Sequence, residues 1–151
     1  MKEGQNVAVL RTFSKAYGLA GARCGYALTT PEIADLLNKA RSPFNVNSFA
    51  QVGALVALDD QEHIVRSVKM VNDGRLLFES YFEEKGLEFV PSHTNFILVN
   101  VGNGVEVFRK ALEQGVIMRP MAAYGLSEYV RITIGSEWEN KRCLDVLSNI
   151  L

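Results

Sequence analysis

The stretch Arg11–Tyr26, RTFSKAYGLAGARCGY, decides how the rest of the chain is read. An apolar run, Val7-Ala8-Val9-Leu10, leads into a polar turn (Thr12, Ser14, Lys15), a glycine-punctuated segment, and Arg23 before a second apolar run. An ammonium at the end of a buried strand is costly to desolvate, and desolvation lowers its pKa toward the neutral, nucleophilic amine. Condensation with a carbonyl requires such an amine, so Lys15 is a candidate imine former. Hydroxyls at Thr12 and Ser14 with the Arg23 guanidinium supply the donors of a phosphate cradle beside it. An imine-forming lysine next to a phosphate anchor points to pyridoxal phosphate. The competing reading of the same residues is a solvated lysine on a strand-to-loop turn with an arginine nearby.

Working outward, 151 residues allow one domain with a core of its own, or one domain plus part of another. A hydrophobic content of 48% and a charged content of 22% are those of a soluble globular protein. The net charge of −1 creates no field to attract nucleic acid or an anionic membrane. No apolar run approaches the ~20 residues of a membrane helix, and the start MKEGQNVAV has no secretory core. Cys24 and Cys143 have neither CxxC spacing nor a His or Cys cluster nearby, which predicts reduced, buried thiols in a cytoplasmic protein. No metal-ligand spacing involves His63 or His93, which read as surface or loop residues.

Residues 6–11 have the pattern of a strand buried on both faces, and Cys24–Thr29 that of a second. About a dozen residues join them, enough for antiparallel pairing but short for a parallel crossover. Tyr17 and Tyr26 flank the lysine loop as packing residues. Thr30-Pro31 starts a helix with Ile33, Leu36, Leu37 and Ala40 as its apolar face. At Ser42–Asn47 (SPFNVN) the periodicity breaks, which marks a domain boundary. A helix over Ser48–Leu58 follows, then one from Asp59-Asp60 to about Lys85, roughly 36 Å long and able to cross between domains. Gly86 closes it.

The remainder predicts β-β-α-β-β-α: strands at Leu87–Val90 and Phe96–Val101, a helix at Val105–Glu113 facing inward through Val105, Phe108, Ala111 and Leu112, and strands at Val116–Met118 and Tyr129–Ile134. Ser136 and Glu139 form a capping box for a last helix with Cys143, Leu144, Leu147 and Ile150 as its face, and Trp138 as a packing residue. This is an α+β layer, a small sheet covered by helices. On this reading 1–45 is a two-strand remnant of a larger domain and 46–151 is a small C-terminal domain with a leading helix. Arg131 alternates with Val130 and Ile132 and shares its face with Tyr129 and Thr133. It is either the wet face of a surface strand or an anion ligand.

The lysine stretch resembles the cofactor-lysine motif of fold-type I aminotransferases, S/T-x-S-K-x-x-G-x-x-G-x-R-x-G-Y, with no position departing from it. TNFILVN (Thr94–Asn100), GVIMRPM (Gly115–Met121) and YVRITIG (Tyr129–Gly135) resemble the C-terminal part of histidinol-phosphate aminotransferases. The resemblance implies an α/β enzyme of the class I/II family, a homodimer dependent on pyridoxal 5'-phosphate, with this chain as its C-terminal portion. It implies that Lys15 carries the cofactor and moves a proton at the substrate's α-carbon, and that Thr12, Ser14 and Arg23 hold the cofactor phosphate. It assigns Arg119 and Arg131 to the substrate phosphate, where two guanidiniums suit a dianion better than one. The substrates implied are histidinol phosphate and 2-oxoglutarate, in histidine biosynthesis. The motif equally fits a threonine-phosphate decarboxylase, a lyase on the same scaffold. A third reading is a folded fragment without catalysis. The acidic partner of the cofactor ring lies upstream of the lysine in this family, so the 151-residue chain is expected to be inactive alone.

Overall fold

The computed structural model describes residues 6–151. The chain divides into two compact units, Met1–Arg66 and Ser67–Leu151.

The first unit opens with β1 (Val9–Thr12) and β2 (Gly25–Leu28), paired antiparallel as the short connection predicts. Thr12 stands opposite Gly25, and a Cβ at Gly25 would lie 2.6 Å from the Arg11 carbonyl oxygen, so only glycine lets the two backbones approach. Every residue of both strands is exposed, Leu10 at 76%. This corrects the expectation of doubly buried strands: a two-stranded ribbon has no second layer among the described residues to remove it from water. What is buried instead is Phe13, whose ring lies 4.9 Å from that of Tyr17 and 5.7 Å from that of Tyr26. Both tyrosines therefore pack, as predicted.

Thr30 caps α1 (Pro31–Ala40), its Oγ1 accepting from the Ile33 amide, and Pro31 occupies the first turn. The predicted apolar face exists, but no residue of α1 is buried and Leu36 and Leu37 are exposed. Residues 42–47 separate α1 from α2 (Ser48–Asp59), whose cap is Asn47, Oδ1 accepting from the Ala50 amide at 2.9 Å. Apolar almost all round, α2 buries only Ala50 and Ala54. Asp60 caps α3 (Gln61–Lys85), accepting from the His63 amide at 3.0 Å, and Gly86, with φ 65°, ends it. The division between the units falls within α3, at Arg66–Ser67.

In the second unit the order is β3 (Phe89–Val90), β4 (Phe96–Asn100), α4 (Gly104–Glu113), β5 (Arg119–Pro120), β6 (Tyr129–Thr133) and α5 (Glu137–Ile150), the β-β-α-β-β-α run read from the sequence. The sheet is antiparallel throughout, in the order β3-β4-β6-β5. Period-two alternation sends Ile97, Val99, Val130 and Ile132 to one face, where they meet Phe78 and Phe82 of α3, Val107 and Ala111 of α4, and Val146 and Leu147 of α5. The other face carries Phe96, Leu98, Tyr129, Arg131 and Arg119.

Three expectations are corrected here. The strand expected at Val116–Met118 is Arg119–Pro120, because β6 pairs with it through Arg131 and Val130, and Met118 goes into the core instead. On α4, Val107 and Ala111 point inward while Val105 and Leu112 are exposed. Gly104 is pressed against the Tyr129 carbonyl so closely that a side chain would collide, which sets the rotation of the helix. Trp138 is 73% exposed rather than packed; it sits in the first turn of α5, and the inward face is Asn140, Cys143, Leu144, Val146 and Leu147. The capping box is present: Ser136 Oγ accepts from the Glu139 amide and the Ser136 amide donates to Glu139 Oε2 at 2.7 Å.

Candidate functional site

The lysine loop is built from the end of β1. Thr12 Oγ1 accepts from the Ser14 amide at 3.1 Å, which folds the chain away from the strand, and the Gly18 amide donates to the Lys15 carbonyl at 2.8 Å. A 3-10 turn over Ala20–Ala22 ends on Arg23, which has φ 54°, in the left-handed region. That conformation costs a non-glycine residue roughly 1–2 kcal/mol, and here the Arg23 Nη1 donates to the Ala20 carbonyl at 2.9 Å.

Thr12, Ser14 and Arg23 line one shallow concavity of about 480 Å³, together with Arg11, Cys24 and Tyr26. The donor set fits a phosphate group. Thr12 Oγ1 accepts from Ser14 and so keeps its O–H for an anion, and a guanidinium has five N–H donors, of which Ala20 occupies one. Lys15 is adjacent in the chain but is not among the lining residues of the concavity, and it is exposed. The desolvation expected to tune it is therefore not supplied by the described residues. Motif reading brought together the three anion donors but not the burial, because burial comes from layers that these residues do not contain.

The second cluster lies on the face of the four-stranded sheet opposite the core. Arg119 of β5 is the direct cross-strand partner of Arg131 of β6. Arg131 is half-buried, its guanidinium carbon 4.9 Å from the centre of the Phe96 ring, and its Nε is a buried donor with no hydrogen-bond partner. Phe96 pairs with Thr133, two residues along the same face, the diagonal position from which an aromatic ring reaches a neighbour. Arg119 donates through Nη2 to the Tyr124 hydroxyl at 2.7 Å and stacks over that ring at 5.3 Å. Tyr124 comes from a 3-10 turn over Ala122–Tyr124 that Gly125, at φ 78°, closes. Two guanidiniums side by side, one with an orphaned buried donor, have the charge and donors that suit a doubly charged anion. Sequence reading singled out both arginines but neither ring. Tyr124 lies five residues past Arg119, and only the turn between them makes that spacing a contact. Among the described residues no group of His, Cys, Asp or Glu could hold a metal ion, and no helix is long and apolar enough to cross a membrane.

A small antiparallel sheet backed by helices, preceded by a lysine-bearing strand pair, is part of the architecture of fold-type I aminotransferases. The model of the aminotransferase class I and II family matches residues 1–147, and the chain belongs to that family. It is 51% identical over 151 residues to histidinol-phosphate aminotransferase of Akkermansia muciniphila, an alignment covering 100% of this chain and 42% of that protein. The crystal structure of histidinol-phosphate aminotransferase from Sinorhizobium meliloti in complex with pyridoxal-5'-phosphate matches with a TM-score of 0.83 at 29% identity, over 100% of this chain and 44% of that one. L-threonine-O-3-phosphate decarboxylase from Porphyromonas gingivalis matches with a TM-score of 0.78 at 25% identity, over 98% and 48% respectively. The chain thus spans less than half the length of these relatives.

Proposed function

We propose that this chain supplies the cofactor lysine and the small domain of a pyridoxal-phosphate-dependent aminotransferase acting on histidinol phosphate with 2-oxoglutarate as acceptor. The observation that carries the substrate side is the cross-strand pair Arg119–Arg131 with its unpartnered Nε, a binding place for the phosphate of an amino substrate. On the cofactor side, Thr12, Ser14 and Arg23 hold the phosphate of pyridoxal phosphate in the concavity that they line. When bound, the cofactor supplies an electron sink that stabilises negative charge at the substrate α-carbon. Lys15 would offer the amine for the cofactor carbonyl and, as a free amine, would accept and return the proton at the substrate α-carbon. Residues 1–45 belong to the large cofactor domain and 46–151 to the small one, in a cytoplasmic homodimer.

The test is borohydride reduction of the chain after incubation with pyridoxal phosphate, followed by peptide mapping. A pyridoxyl group on the peptide containing Lys15, absent from Lys15→Ala, is the expected result; label on a different lysine would overturn the assignment. The likeness to L-threonine-O-3-phosphate decarboxylase favours one competing reading. Dependence on the oxo acid separates the two, since transamination needs it while decarboxylation releases carbon dioxide without it.

A further inference from the structure

Like-charged side chains facing each other across two strands repel, so each needs something to hold it where a ligand can use it. Arg131 is held by burial against Phe96. Arg119 has no such burial: it is exposed, on a two-residue edge strand, and an arginine side chain carries about 2 kcal/mol of rotamer entropy that an anion must quench on binding. One residue addresses both problems. The Tyr124 hydroxyl accepts from Nη2 at 2.7 Å while its ring lies under the same guanidinium at 5.3 Å, so the contact fixes the plane of the fork as well as its position. Tyr124 is carried by the 3-10 turn that links β5 to β6; Gly125 closes that turn, and the Met121 amide donates to the Tyr129 carbonyl at 3.1 Å at its base.

Resting on the reading of Arg119 and Arg131 as an oxyanion site, we propose that Tyr124 is the positioning residue of Arg119. It holds the guanidinium in register with Arg131, so that the pair is preorganised for a dianionic phosphate. A single carboxylate, satisfied by Arg131 alone, gains little from it. Tyr124 touches no ligand in this account; it acts through Arg119 by removing the entropy cost of ordering that side chain on binding.

The test uses the 151-residue chain with inorganic phosphate at about pH 8, where most of it is the dianion, and acetate as the monoanionic comparison. Affinities are read by titration and by the Nε–H signals of the arginines. Tyr124→Phe, which keeps the ring and loses the acceptor, is expected to weaken phosphate about fivefold and leave acetate unchanged. Tyr124→Leu, which loses both contacts, weakens phosphate further. In an Arg119→Ala background Tyr124→Phe changes nothing, because the residue acts through the arginine. Wild-type phosphate affinity in Tyr124→Phe, or an effect that persists without Arg119, overturns the positioning role while leaving the anion site intact. Phosphate binding that is absent, or indifferent to both Arg119→Ala and Arg131→Ala, overturns the anion site and the positioning role with it.

Discussion

Arg119 on β5 and Arg131 on β6 are cross-strand partners in an antiparallel pair, so two guanidiniums share one face of the sheet with no acidic residue paired to either in the ladder. Like charges in this relation weaken a ladder by an amount of the order of a favourable pair, roughly 0.2–1 kcal/mol. The sheet tolerates it because its opposite face is fully committed to the core through Val130 and Ile132, and because the strand register leaves the arginines on the open side. A dianion bound between them, as proposed, would neutralise the two charges and give the Arg131 Nε an acceptor.

The arginine pair should therefore make stability respond to anions. Phosphate is expected to raise the melting temperature of the chain more than chloride does at equal ionic strength, since a ligand bound only by the folded state stabilises it. Arg119→Ala or Arg131→Ala should abolish the difference. In an assembled enzyme each substitution should weaken a phosphorylated substrate by roughly 10- to 150-fold and pyridoxal phosphate far less, the loss of one charge-assisted contact. Unchanged substrate affinity in both variants would return the arginines to a structural role.

Gly74 sets two effects against each other. Within α3, glycine costs about 1 kcal/mol relative to alanine, so propensity alone favours Gly74→Ala. A Cβ there, however, would lie 2.5 Å from Asn140 Nδ2 and 2.6 Å from Ile134 Cγ2. Asn140 has little room to retreat: it is buried, accepts from the Gly135 amide at 2.8 Å and donates to the Gly135 carbonyl at 3.0 Å. Overpacking of this kind costs roughly 1–3 kcal/mol, and freeing the buried amide adds to it. Packing wins, and Gly74→Ala is expected to lower the urea midpoint. A rise would show that Asn140 moves aside at no cost.

Much of this fold was legible because its signals are local. Thr30-Pro31, the Asp59-Asp60 pair, Gly86 and the Ser136–Glu139 box each name a helix end through chemistry confined to one turn, and each marks that end in the structure, with Asp60 as the cap of its pair. The alternation of Val130 and Ile132 with Arg131 marked the two faces of β6 in the same way. Non-local features were misread. Val105 and Leu112 fit a helical stripe as well as Val107 does, and only the approach of Gly104 to Tyr129 chooses between them. The apolar strands around Leu10 and Leu28 read as buried because periodicity reports what a surface is suited to touch, not whether anything touches it. Of the site residues, the motif brought Thr12, Ser14 and Arg23 to one concavity, but Tyr124 and Phe96 become partners of arginines only through a turn and a register.

The two cysteines should differ in reactivity for a physical reason. Burial pushes the Cys143 thiol up to about 11, so almost none of it is thiolate at neutral pH. Cys24 is half-buried and lines the concavity shared with Thr12 and Arg23. Iodoacetamide on the native chain should label Cys24 and spare Cys143 until denaturant is added. Pyridoxal phosphate seated in that concavity should slow the labelling of Cys24 without affecting the denatured sample. Equal rates with and without the cofactor would argue against the concavity as its phosphate site.

The capping box of α5 should leave a signature in acid. The Glu139 carboxylate is held below the usual range, first by the Ser136 hydroxyl and then by the Ser136 amide. A folded-state pKa lower than the unfolded one means that this stabilisation is fully present above about pH 4.5 and is lost as pH falls through the folded value. Glu32, Glu106 and Glu137 are also held low, the first by its own backbone amide and then Thr30, the second by Lys110 and the third by Lys141, so the acid limb of the wild type sums several groups and only a difference isolates the box. Ser136→Ala removes the hydroxyl that contributes most to the Glu139 shift and the acceptor for the Glu139 amide, at a cost of about 1 kcal/mol at neutral pH. Glu139→Gln keeps an oxygen for the Ser136 amide but cannot titrate. Urea unfolding followed by helical circular dichroism should show both variants destabilised at pH 7; as pH falls below the carboxylate range Glu139→Gln converges on the wild type, while Ser136→Ala keeps the deficit of its lost acceptor for the Glu139 amide. A gap between wild type and Glu139→Gln that stays constant from pH 7 into that range would mean the carboxylate charge contributes nothing to the cap.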